Sequence, residues 1–351
     1  MNYAMFKKQL PFLVTLLTVI TLVACKTQNN EADLPYTHTE FLLGSYATIS
    51  IYTPDKEAVL EQVFDRISEL ESILTVNDPS LNSQVEQINR QAGVEPVQVS
   101  DEIFNFIQKA LAYTKESNGI FNVTIGPLTK LWDINFENER RPEQSEINEI
   151  LPLLNYELVT LDEDHKTVYL EEEGMRFDFG GIAKGYVADE VVKTLKENGV
   201  ESAIIDLSGD VFTLGQSLRS NNWLVGIQNP YAARGNTIGT IPVTDQAVFT
   251  SGVYERYFEE DGQTYHHILN SETGFPFDNG VTSLTIVSDE GFNADAYSTI
   301  AFGKGIEAGL AYIETIAGVE AMFINDDKEI FLTSGLKEIF TLQDSEFTLI
   351  D

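Results

Sequence analysis

Asp178-Phe-Gly-Gly-Ile-Ala-Lys-Gly-Tyr-Val-Ala-Asp189 is the most informative stretch of this 351-residue chain. An acid and an apolar residue lead into a double glycine, and a predicted amphipathic helix with a lysine in its first turn follows at once. A helix start presents free backbone N–H groups, which together with the lysine suit a bound phosphate ester. The stretch matches neither the Walker A nor the Rossmann glycine pattern. The glycines alone would equally fit a plain strand-to-helix turn.

The flanking sequence predicts a mixture of helices and antiparallel strands. Apolar residues recur at helical spacing over 56–74, and Ser100 can cap a second helix that ends near Ser117. Further helices are expected after the double glycine and at 142–154, 294–302 and 306–316. Strands are expected at 47–52, 158–161, 167–170, 203–206, 223–228, 248–250, 265–269, 283–287, 319–324 and 329–333. Because helices group between runs of strands, the pattern favours a single α+β domain with mainly antiparallel sheets.

The N-terminus has the features of a lipoprotein signal. Two lysines precede an apolar run over residues 10–24, which is shorter than the ~20 residues that a membrane-spanning helix needs. Cys25, the only cysteine, follows at the position of a lipidated residue, although an uncleaved anchor is the alternative. We therefore expect a signal peptide over 1–24, a lipidated flexible tether over 25–35 and a globular domain over 36–351. Such a protein would be anchored by lipid to a bacterial cell membrane, on its extracytoplasmic side.

The composition restricts the class of ligand. The formal net charge is −33, and removal of residues 1–24 with their two lysines would lower it to −35. A surface this acidic repels nucleic acid, which we exclude as a partner. A diphosphate ligand would also be repelled unless the site supplied local positive charge or a divalent cation. With 43% hydrophobic residues, the chain can bury a full core.

A second motif carries oxygen ligands. In Ala294-Asp-Ala-Tyr-Ser-Thr299, Asp295 and Thr299 stand four residues apart and so share one face of the predicted helix. A carboxylate and a hydroxyl are ligands that suit Mg²⁺ bound beside phosphate oxygens. The alternative is that Asp295 caps the helix start and Thr299 bonds back to its own turn.

Two adjacent histidines offer a candidate base. His266 and His267 lie on a predicted strand, where neighbouring side chains face opposite ways. They cannot both bind one zinc ion, and no cysteine partner is available. One of them could face the site as a general base while the other faces solvent, although a structural role is the alternative. Upstream, Asn122 and Thr124 alternate within an apolar segment and could line a slot for a flat ring; packed core is the alternative there.

Together these motifs resemble the ApbE family, whose members are FAD:protein FMN transferases, or flavin transferases. The resemblance covers about residues 36–340 and includes Leu43-Gly-Ser, Phe121-Asn-Val-Thr-Ile-Gly-Pro-Leu, the 178–186 run, Thr250-Ser-Gly, His267-Ile and the Asp295–Thr299 motif. It implies an α+β domain related to the tunnelling fold. Leu43 replaces a commoner methionine and Asn122 a frequent aspartate, which affects the expected flavin contacts more than the metal set.

The resemblance also implies roles for individual residues. Mg²⁺ would be held by Asp295, Thr299 and the backbone carbonyl of Gly181, and His267 would be the general base. FAD, the substrate, would contact a set of residues on both sides of the diphosphate: Leu43, Val76, Asn122, Val123, Thr124, Asp178, Lys184 and Ile268. FMN would pass from FAD to a Ser/Thr hydroxyl of an acceptor redox protein that carries a flavinylation motif, and AMP would leave.

Three other functions fit parts of the pattern. The same metal site could hydrolyse FAD to FMN and AMP with water as the acceptor. A lipoprotein that binds flavin without catalysis is a second alternative, and it predicts that loss of Asp295 leaves flavin handling unchanged. A solute-binding lipoprotein would need two α/β lobes and a hinge, which the predicted elements do not provide.

Overall fold

A nine-stranded β-sheet occupies the centre of the fold. The structure is a computed structural model that describes residues 34–42, 44–76 and 82–350. The described residues from Pro35 onward form one compact unit. The predicted signal peptide, Cys25, most of the predicted tether and Leu43 lie outside the described residues. Within the described ranges, none of the helices has the length and apolar character needed to cross a membrane.

Runs of short strands and groups of helices follow one another along the chain. The strands are β1 (Tyr36–Leu42), β2 (Ser45–Ile51), β3 (Val97–Gln98), β4 (Val159–Asp162), β5 (Thr167–Leu170), β6 (Ala203–Leu207), β7 (Asp210–Leu214), β8 (Trp223–Gln228), β9 (Thr237–Val243), β10 (Gln246–Gly252), β11 (Tyr257–Glu260), β12 (Gln263–His266), β13 (Val281–Ser288), β14 (Val319–Asn325), β15 (Glu329–Leu332), β16 (Thr341–Leu342) and β17 (Thr348–Ile350). The helices are α1 (Val59–Leu74), α2 (Gln84–Arg90), α3 (Asp101–Glu116), α4 (Gly126–Trp132), α5 (Gln144–Ile150), α6 (Ala183–Glu197), α7 (Gly291–Lys304), α8 (Ile306–Ile313) and α9 (Ser334–Ile339).

The central sheet has the strand order β1-β2-β6-β7-β10-β13-β14-β15-β17. Its neighbours pair antiparallel except β15 and β17, which are parallel. The predicted hairpins over 158–170 and 319–333 form as β4–β5 and β14–β15. These features confirm the predicted α+β class with mainly antiparallel sheets, and the relation to the tunnelling fold stays a prediction.

Layers cover both faces of the central sheet. Helix α7 packs against β10 and β13 on one face and against α6 and α8 beside it. On the other face, Trp223 and Ile241 of the small β16-β9-β8 sheet share an apolar cluster with Val287 and Met322. Strand β13 is buried along its whole length because both of its faces are covered. Helix α7, which carries the predicted metal ligands, is thereby fixed on the sheet.

The helices that flank α6 are also fixed to it. Ser100 caps α3 as predicted, accepting a hydrogen bond from the N–H of Ile103. Arg66 of α1 contacts Glu102 of α3 and lies 2.7 Å from a carboxylate oxygen of Glu190 on α6. This ion-pair network joins α1 and α3 to the middle of α6.

Three differences from the predicted elements have local causes. Helix α7 begins at Gly291 rather than Ala294, so Asp295 lies in its second turn. Strand β12 ends at His266, which leaves His267 just beyond the ladder. The sequence does not predict β9, because it contains Gly239 and Pro242, residue types that are depleted in strands.

Candidate active site

The segment before the double glycine is held by side chains rather than by a β-ladder. Asn89 of α2 donates from its amide to the carbonyl of Phe177 at 3.2 Å and accepts from the N–H of Phe177 at 2.7 Å. The N–H of Asp178 donates to the carbonyl of Val123 at 3.0 Å. The alternative of a plain strand-to-helix turn is therefore wrong in its first half, since residues 175–179 belong to no strand.

The carboxylate of Asp178 shapes the glycine turn. One oxygen accepts a hydrogen bond from the N–H of Gly180 at 2.8 Å, and the other accepts one from the hydroxyl of Thr129 at 2.7 Å. Asp178 was predicted to contact FAD. In the structure both of its oxygens hold protein groups, which makes it a support for the turn.

Gly181 is required by a close approach rather than by an unusual φ angle. A Cβ atom placed on Gly181 would lie 3.2 Å from the hydroxyl oxygen of Thr299 and 3.5 Å from the ring of Phe121. A side chain would therefore enter the space between the turn and α7. Because glycine has no side chain, the backbone of Gly181 lies directly beside the hydroxyl of Thr299.

The starts of α6 and α7 cap one another. The N–H of Gly185 in α6 donates to Asp295 of α7 at 2.9 Å. In return, Asp189 of α6 accepts from the N–H groups of Gly291 at 2.6 Å and Phe292 at 2.9 Å. The spacing Gly-x-x-x-Asp thus occurs in both helices, and each aspartate satisfies unpaired N–H groups at the other helix start. The exchange fixes the position of Asp295 relative to the glycine turn.

The helix crossing depends on glycine at position 185. We expect Gly185→Ala to lower the free energy of unfolding by about 3 kcal/mol, because the added Cβ would overlap the carbonyl of Gly291 and lie 2.8 Å from the Cβ of Asp295. Urea denaturation measures the change. Gly180→Ala is the control: its Cβ would meet only the flexible carboxylate of Asp178, at 3.1 Å. If both variants lost the same free energy of unfolding, a clash at the helix crossing could not be the cause of the loss.

Asp295 is a buried acid with a perturbed pKa. Its side chain is only 6% exposed, and it does not cap its own helix, since Glu290 is the residue before α7. Burial raises the pKa of Asp295 to about 7; the charge of Lys184 opposes this shift and the charge of Asp210 adds to it. Near neutral pH the fold therefore holds a carboxylate that would gain from a bound cation.

Lys184 lies between acids. Its ammonium group contacts the carboxylate of Asp210, which is buried and also accepts from the N–H of Thr250 at 2.9 Å. Burial opposes the charged form, but attraction to Asp210 and Asp295 outweighs it and raises the pKa of Lys184. Lys184 was predicted to face a nucleotide phosphate. It lies in the predicted site but is paired there with Asp210.

The two histidines have different environments. His266 is buried: its Nε2 lies 2.9 Å from the carbonyl of Phe277, and its Nδ1 accepts from the N–H of Ile268. The prediction that one histidine faces solvent is therefore wrong, because both ring nitrogens of His266 are bonded inside the protein. His267 is partly exposed, and its Nδ1 lies 3.1 Å from the carbonyl of Arg256.

His267 has the tautomer and charge state of a base. A carbonyl can only accept, so Nδ1 carries the proton and Nε2 keeps its lone pair. Burial of the ring lowers the pKa of His267 well below 6.5, with a further contribution from the positive charge of Arg256. His267 is therefore neutral at physiological pH, as a general base must be before it reacts.

The residues present fit a Mg²⁺ ion. One oxygen of Asp295 is bonded to Gly185, and the other accepts no hydrogen bond from the described residues. The hydroxyl of Thr299 lies one turn further along the same helix face, beside the backbone of Gly181. Within the described ranges, no group of three or more His, Cys, Asp or Glu side chains could hold a metal. A metal here would thus rely on one carboxylate plus neutral oxygens, a donor set that suits Mg²⁺.

Several of the other predicted flavin contacts use their polar groups within the protein. Asn122 donates from its amide to the carbonyl of Leu154 at 2.8 Å, and its carbonyl oxygen lies 2.8 Å from the hydroxyl of Thr124. Val123 and Thr124 are fully buried. The carbonyl of Val76 accepts from Arg176 at 2.9 Å. The flavin contacts of these residues, and of Ile268 beside His267, stay predictions.

Two residues that shape the site were given no role from the sequence: Asn89 and Asp189. The repeated Gly-x-x-x-Asp spacing was a visible signal for Asp189. The sequence did indicate Asp210, in Ser208-Gly-Asp210, where the related family commonly has Gly-Gly-Asp, and Arg256, as the one cation of the Thr250–Arg256 segment, but it gave neither a specific partner. Asn89 gave no local signal, since its role depends on how α2 docks beside the glycine turn.

Comparisons with known proteins agree with this geometry. The sequence model of the ApbE family matches residues 43–323. A Klebsiella pneumoniae protein named FAD:protein FMN transferase is 39% identical over 316 residues, which cover 90% of this chain and 97% of the relative. A protein of the same name from Treponema pallidum is 33% identical over 331 residues, which cover 90% of this chain and 91% of that relative. The crystal structure of the ApbE protein from Thermotoga maritima superposes with a TM-score of 0.80 at 30% identity, covering 87% of this chain and 99% of the other.

Proposed function

The chain belongs to the ApbE family, and we propose that it transfers FMN from FAD to an acceptor protein at the site formed by the glycine turn, Asp295 and His267. The observation that carries this assignment is the hydrogen bond from Gly185 to Asp295. It joins the phosphate-site motif to the metal-ligand motif across 110 positions of the chain. The activity is that of a transferase with FAD as its substrate.

The chemistry of the step is a substitution at phosphorus. We propose that a Ser or Thr hydroxyl of the acceptor attacks the phosphorus on the FMN side of the FAD diphosphate. The new O–P bond forms as the bond to the bridging oxygen breaks, and AMP leaves with that electron pair. His267 takes the hydroxyl proton on Nε2, and the Arg256 carbonyl at Nδ1 keeps the ring oriented.

The metal and the local cations would offset the acidity of the chain. Asp295, Thr299 and the backbone carbonyl of Gly181 would hold Mg²⁺, which when bound supplies positive charge beside the phosphate oxygens. Lys184, held by Asp210 at the start of α6, adds a second charge on the same side. Helix α6 also directs its N-terminus towards this region, which favours anions.

The transferase assignment has a direct test. The chain would be mixed with FAD, Mg²⁺ and a candidate acceptor that carries a reactive Ser or Thr, and the acceptor would then be weighed by mass spectrometry. We expect a mass gain of one FMN unit, and none when that residue is changed to alanine. Rapid release of FMN and AMP without any acceptor, with no mass gain in any candidate, would instead support the hydrolase.

Mg²⁺ should stabilise the protein more at alkaline than at acidic pH. The pKa of Asp295 is raised to about 7, so below that pH a metal must displace a proton to bind the carboxylate. We expect the rise in Tm caused by millimolar Mg²⁺ to be larger at pH 8 than at pH 6, measured by thermal unfolding. A shift that is equal at both pH values, or unchanged in Asp295→Asn, would contradict metal binding at this residue.

We also propose that the chain is anchored by lipid at Cys25 on the outer side of a bacterial membrane. The support is the basic start, the short apolar run and the single cysteine. Expressed in a bacterial host, the parent chain should fractionate with membranes, and Cys25→Ser should lose that association. A variant that stays membrane-bound without labelling by fatty acid would argue for an uncleaved anchor.

A further inference from the structure

Arg256 is held rigidly opposite the predicted base. Strands β11 and β12 pair with Tyr257 opposite His266, so Arg256 and His267 face each other where the hairpin opens. The carbonyl of Arg256 accepts from the backbone N–H of His267 and from its Nδ1, each at 3.1 Å. The backbone of Arg256 therefore has a fixed position relative to the imidazole.

The guanidinium of Arg256 has no protein partner in the described ranges. It is exposed and forms neither a hydrogen bond nor an ion pair there, whereas Arg66, Arg176 and Arg234 all contact carboxylates. The chain has 55 acidic residues and only 22 Lys and Arg. In such an excess of acid, an arginine beside the site that pairs with none of it is available for an anionic ligand.

The charge of Arg256 acts across the site. After burial, it is the largest cause of the low pKa of His267, and it also opposes protonation of Lys184. The guanidinium thus lies within electrostatic reach of both the base and the helix-start lysine. Arg256 and Lys184 are two positive charges on this side of the site, and an anion bound near both would relieve their repulsion.

We propose that Arg256 binds the phosphate of the FMN half of FAD through the non-bridging oxygens of the phosphorus that is attacked. The inference rests on the proposed function and names a substrate contact for it. The guanidinium presents a planar set of donors that matches two phosphate oxygens. The FMN side is favoured over the AMP side because Arg256 lies beside the base, its carbonyl bonded to His267. In an in-line substitution, the leaving oxygen lies opposite the nucleophile and its base.

Binding of FMN, riboflavin and AMP tests the assignment without requiring turnover. The full chain in detergent would be titrated by calorimetry as the parent, Arg256→Ala and Arg256→Lys. Because a hydrogen bond to a charged group contributes about 1.5–3 kcal/mol, we expect Arg256→Ala to weaken FMN binding by roughly 10-fold to 100-fold. Riboflavin, which lacks the phosphate, and AMP should change by less than about 2-fold. Arg256→Lys should recover part of the loss, since it keeps the charge but not the fork.

Arg219→Ala is the matched control. Arg219 is also exposed, but it lies in the loop after β7, at the opposite end of that strand from Asp210. The Arg219→Ala variant should bind FMN, riboflavin and AMP as tightly as the parent does. Equal weakening of FMN and riboflavin in Arg256→Ala, or no change in either, would overturn the proposal. Weaker AMP binding with intact FMN binding would overturn the choice of phosphate.

The kinetic consequence separates this proposal from the transferase assignment. If transfer occurs, Arg256→Ala should lower kcat more than it raises KM for FAD, and added guanidinium should restore part of the rate. If the parent chain transfers no FMN to any acceptor, the proposed function fails. The comparison of FMN with riboflavin can still be made in that case, so the contact to Arg256 is judged separately.

Discussion

Asp295→Asn is expected to abolish FMN transfer while leaving the metal-free protein as stable as the parent or more stable. Asparagine keeps an oxygen that can accept from Gly185 at the α6–α7 crossing. It removes the only carboxylate of the predicted metal set, and Mg²⁺ provides several kcal/mol of charge stabilisation in reactions of this type. Transfer should therefore fall by about 10³-fold or more, measured as the rate of mass gain of the acceptor at saturating FAD and Mg²⁺.

The expected stability of Asp295→Asn follows from the linkage between proton binding and folding. The pKa of Asp295 is raised to about 7 in the fold, by burial first, against about 3.9 in an unfolded chain. Ionisation is thus easier in the unfolded state. The carboxylate lowers stability progressively as pH rises from about 4 to about 7, and fully above that. Without metal, Asp295→Asn should lack this loss, so its advantage in urea denaturation should be larger at pH 8 than at pH 5.

Asp189→Asn is the matched control, since Asp189 occupies the equivalent position of the reciprocal cap. Both of its oxygens accept backbone N–H groups of α7, and an amide can replace only one of them well. This variant should lose stability, but its transfer rate should fall far less than that of Asp295→Asn and should still respond to Mg²⁺, because the carboxylate of Asp295 is still present. Transfer by Asp295→Asn at the rate of the parent would support a flavin-binding protein whose metal site lies elsewhere.

The local pattern of the sequence predicted most of the elements near the site. The Ser100 cap, the helical stripe of α1 and the β14–β15 hairpin formed as expected. In each case the signal lies in a short segment of sequence. It is a side chain that can cap a helix, apolar residues that recur every 3.6 positions, or apolar residues that alternate with polar ones. Such signals survive when tertiary packing agrees with them.

Contacts between distant segments could not be predicted in the same way. The pairing of Lys184 with Asp210 depends on how β7 lies beside α6. The bond from Gly185 to Asp295 depends on the crossing of two helices, and helical periodicity gives the faces of a helix but not the point where it crosses another. The resemblance placed Lys184 and Asp295 in one site, yet it did not give Asp210 as the partner of Lys184 or Gly185 as the partner of Asp295.

The Asn122–Thr124 segment shows why an alternation of polar and apolar residues fits both a ligand slot and a packed core. Alternate polar residues in an apolar segment suggested handles for a ring. In the structure the Asn122 amide and the Thr124 hydroxyl each lie 2.8 Å from the Leu154 carbonyl. Buried polar groups need partners, and a carbonyl 30 or more positions away supplies one here. The sequence pattern of two polar residues in an apolar segment is the same whether their hydrogen bonds go to a ligand or to the protein.

His267 and the neighbouring His266 provide an experiment in which one substitution removes catalysis and its neighbour removes stability. His267→Gln should reduce FMN transfer by about 10²-fold to 10⁴-fold, because glutamine cannot take the hydroxyl proton. FAD binding should stay close to that of the parent, since the base acts on the acceptor. His266→Gln should keep kcat but lose roughly 1–3 kcal/mol of unfolding free energy, since the two bonds of the buried ring, to Phe277 and Ile268, cannot both be kept.

The pH profile distinguishes a base from a positioning residue. Burial holds the pKa of His267 well below 6.5, so the ring is neutral at pH 6.5 and does not gain basic form as pH rises to 8. We therefore expect that protonation of His267 causes no change in kcat over that interval. The dependence of kcat on pH would be measured with saturating Mg²⁺ at each pH. In His267→Gln, the remaining rate should rise with pH as hydroxide replaces the missing base. A flat and low profile for His267→Gln would indicate that the imidazole positions the acceptor instead. Loss of kcat in His266→Gln with normal stability would reverse the two assignments, because only a residue that faces the acceptor can change the rate without changing the fold.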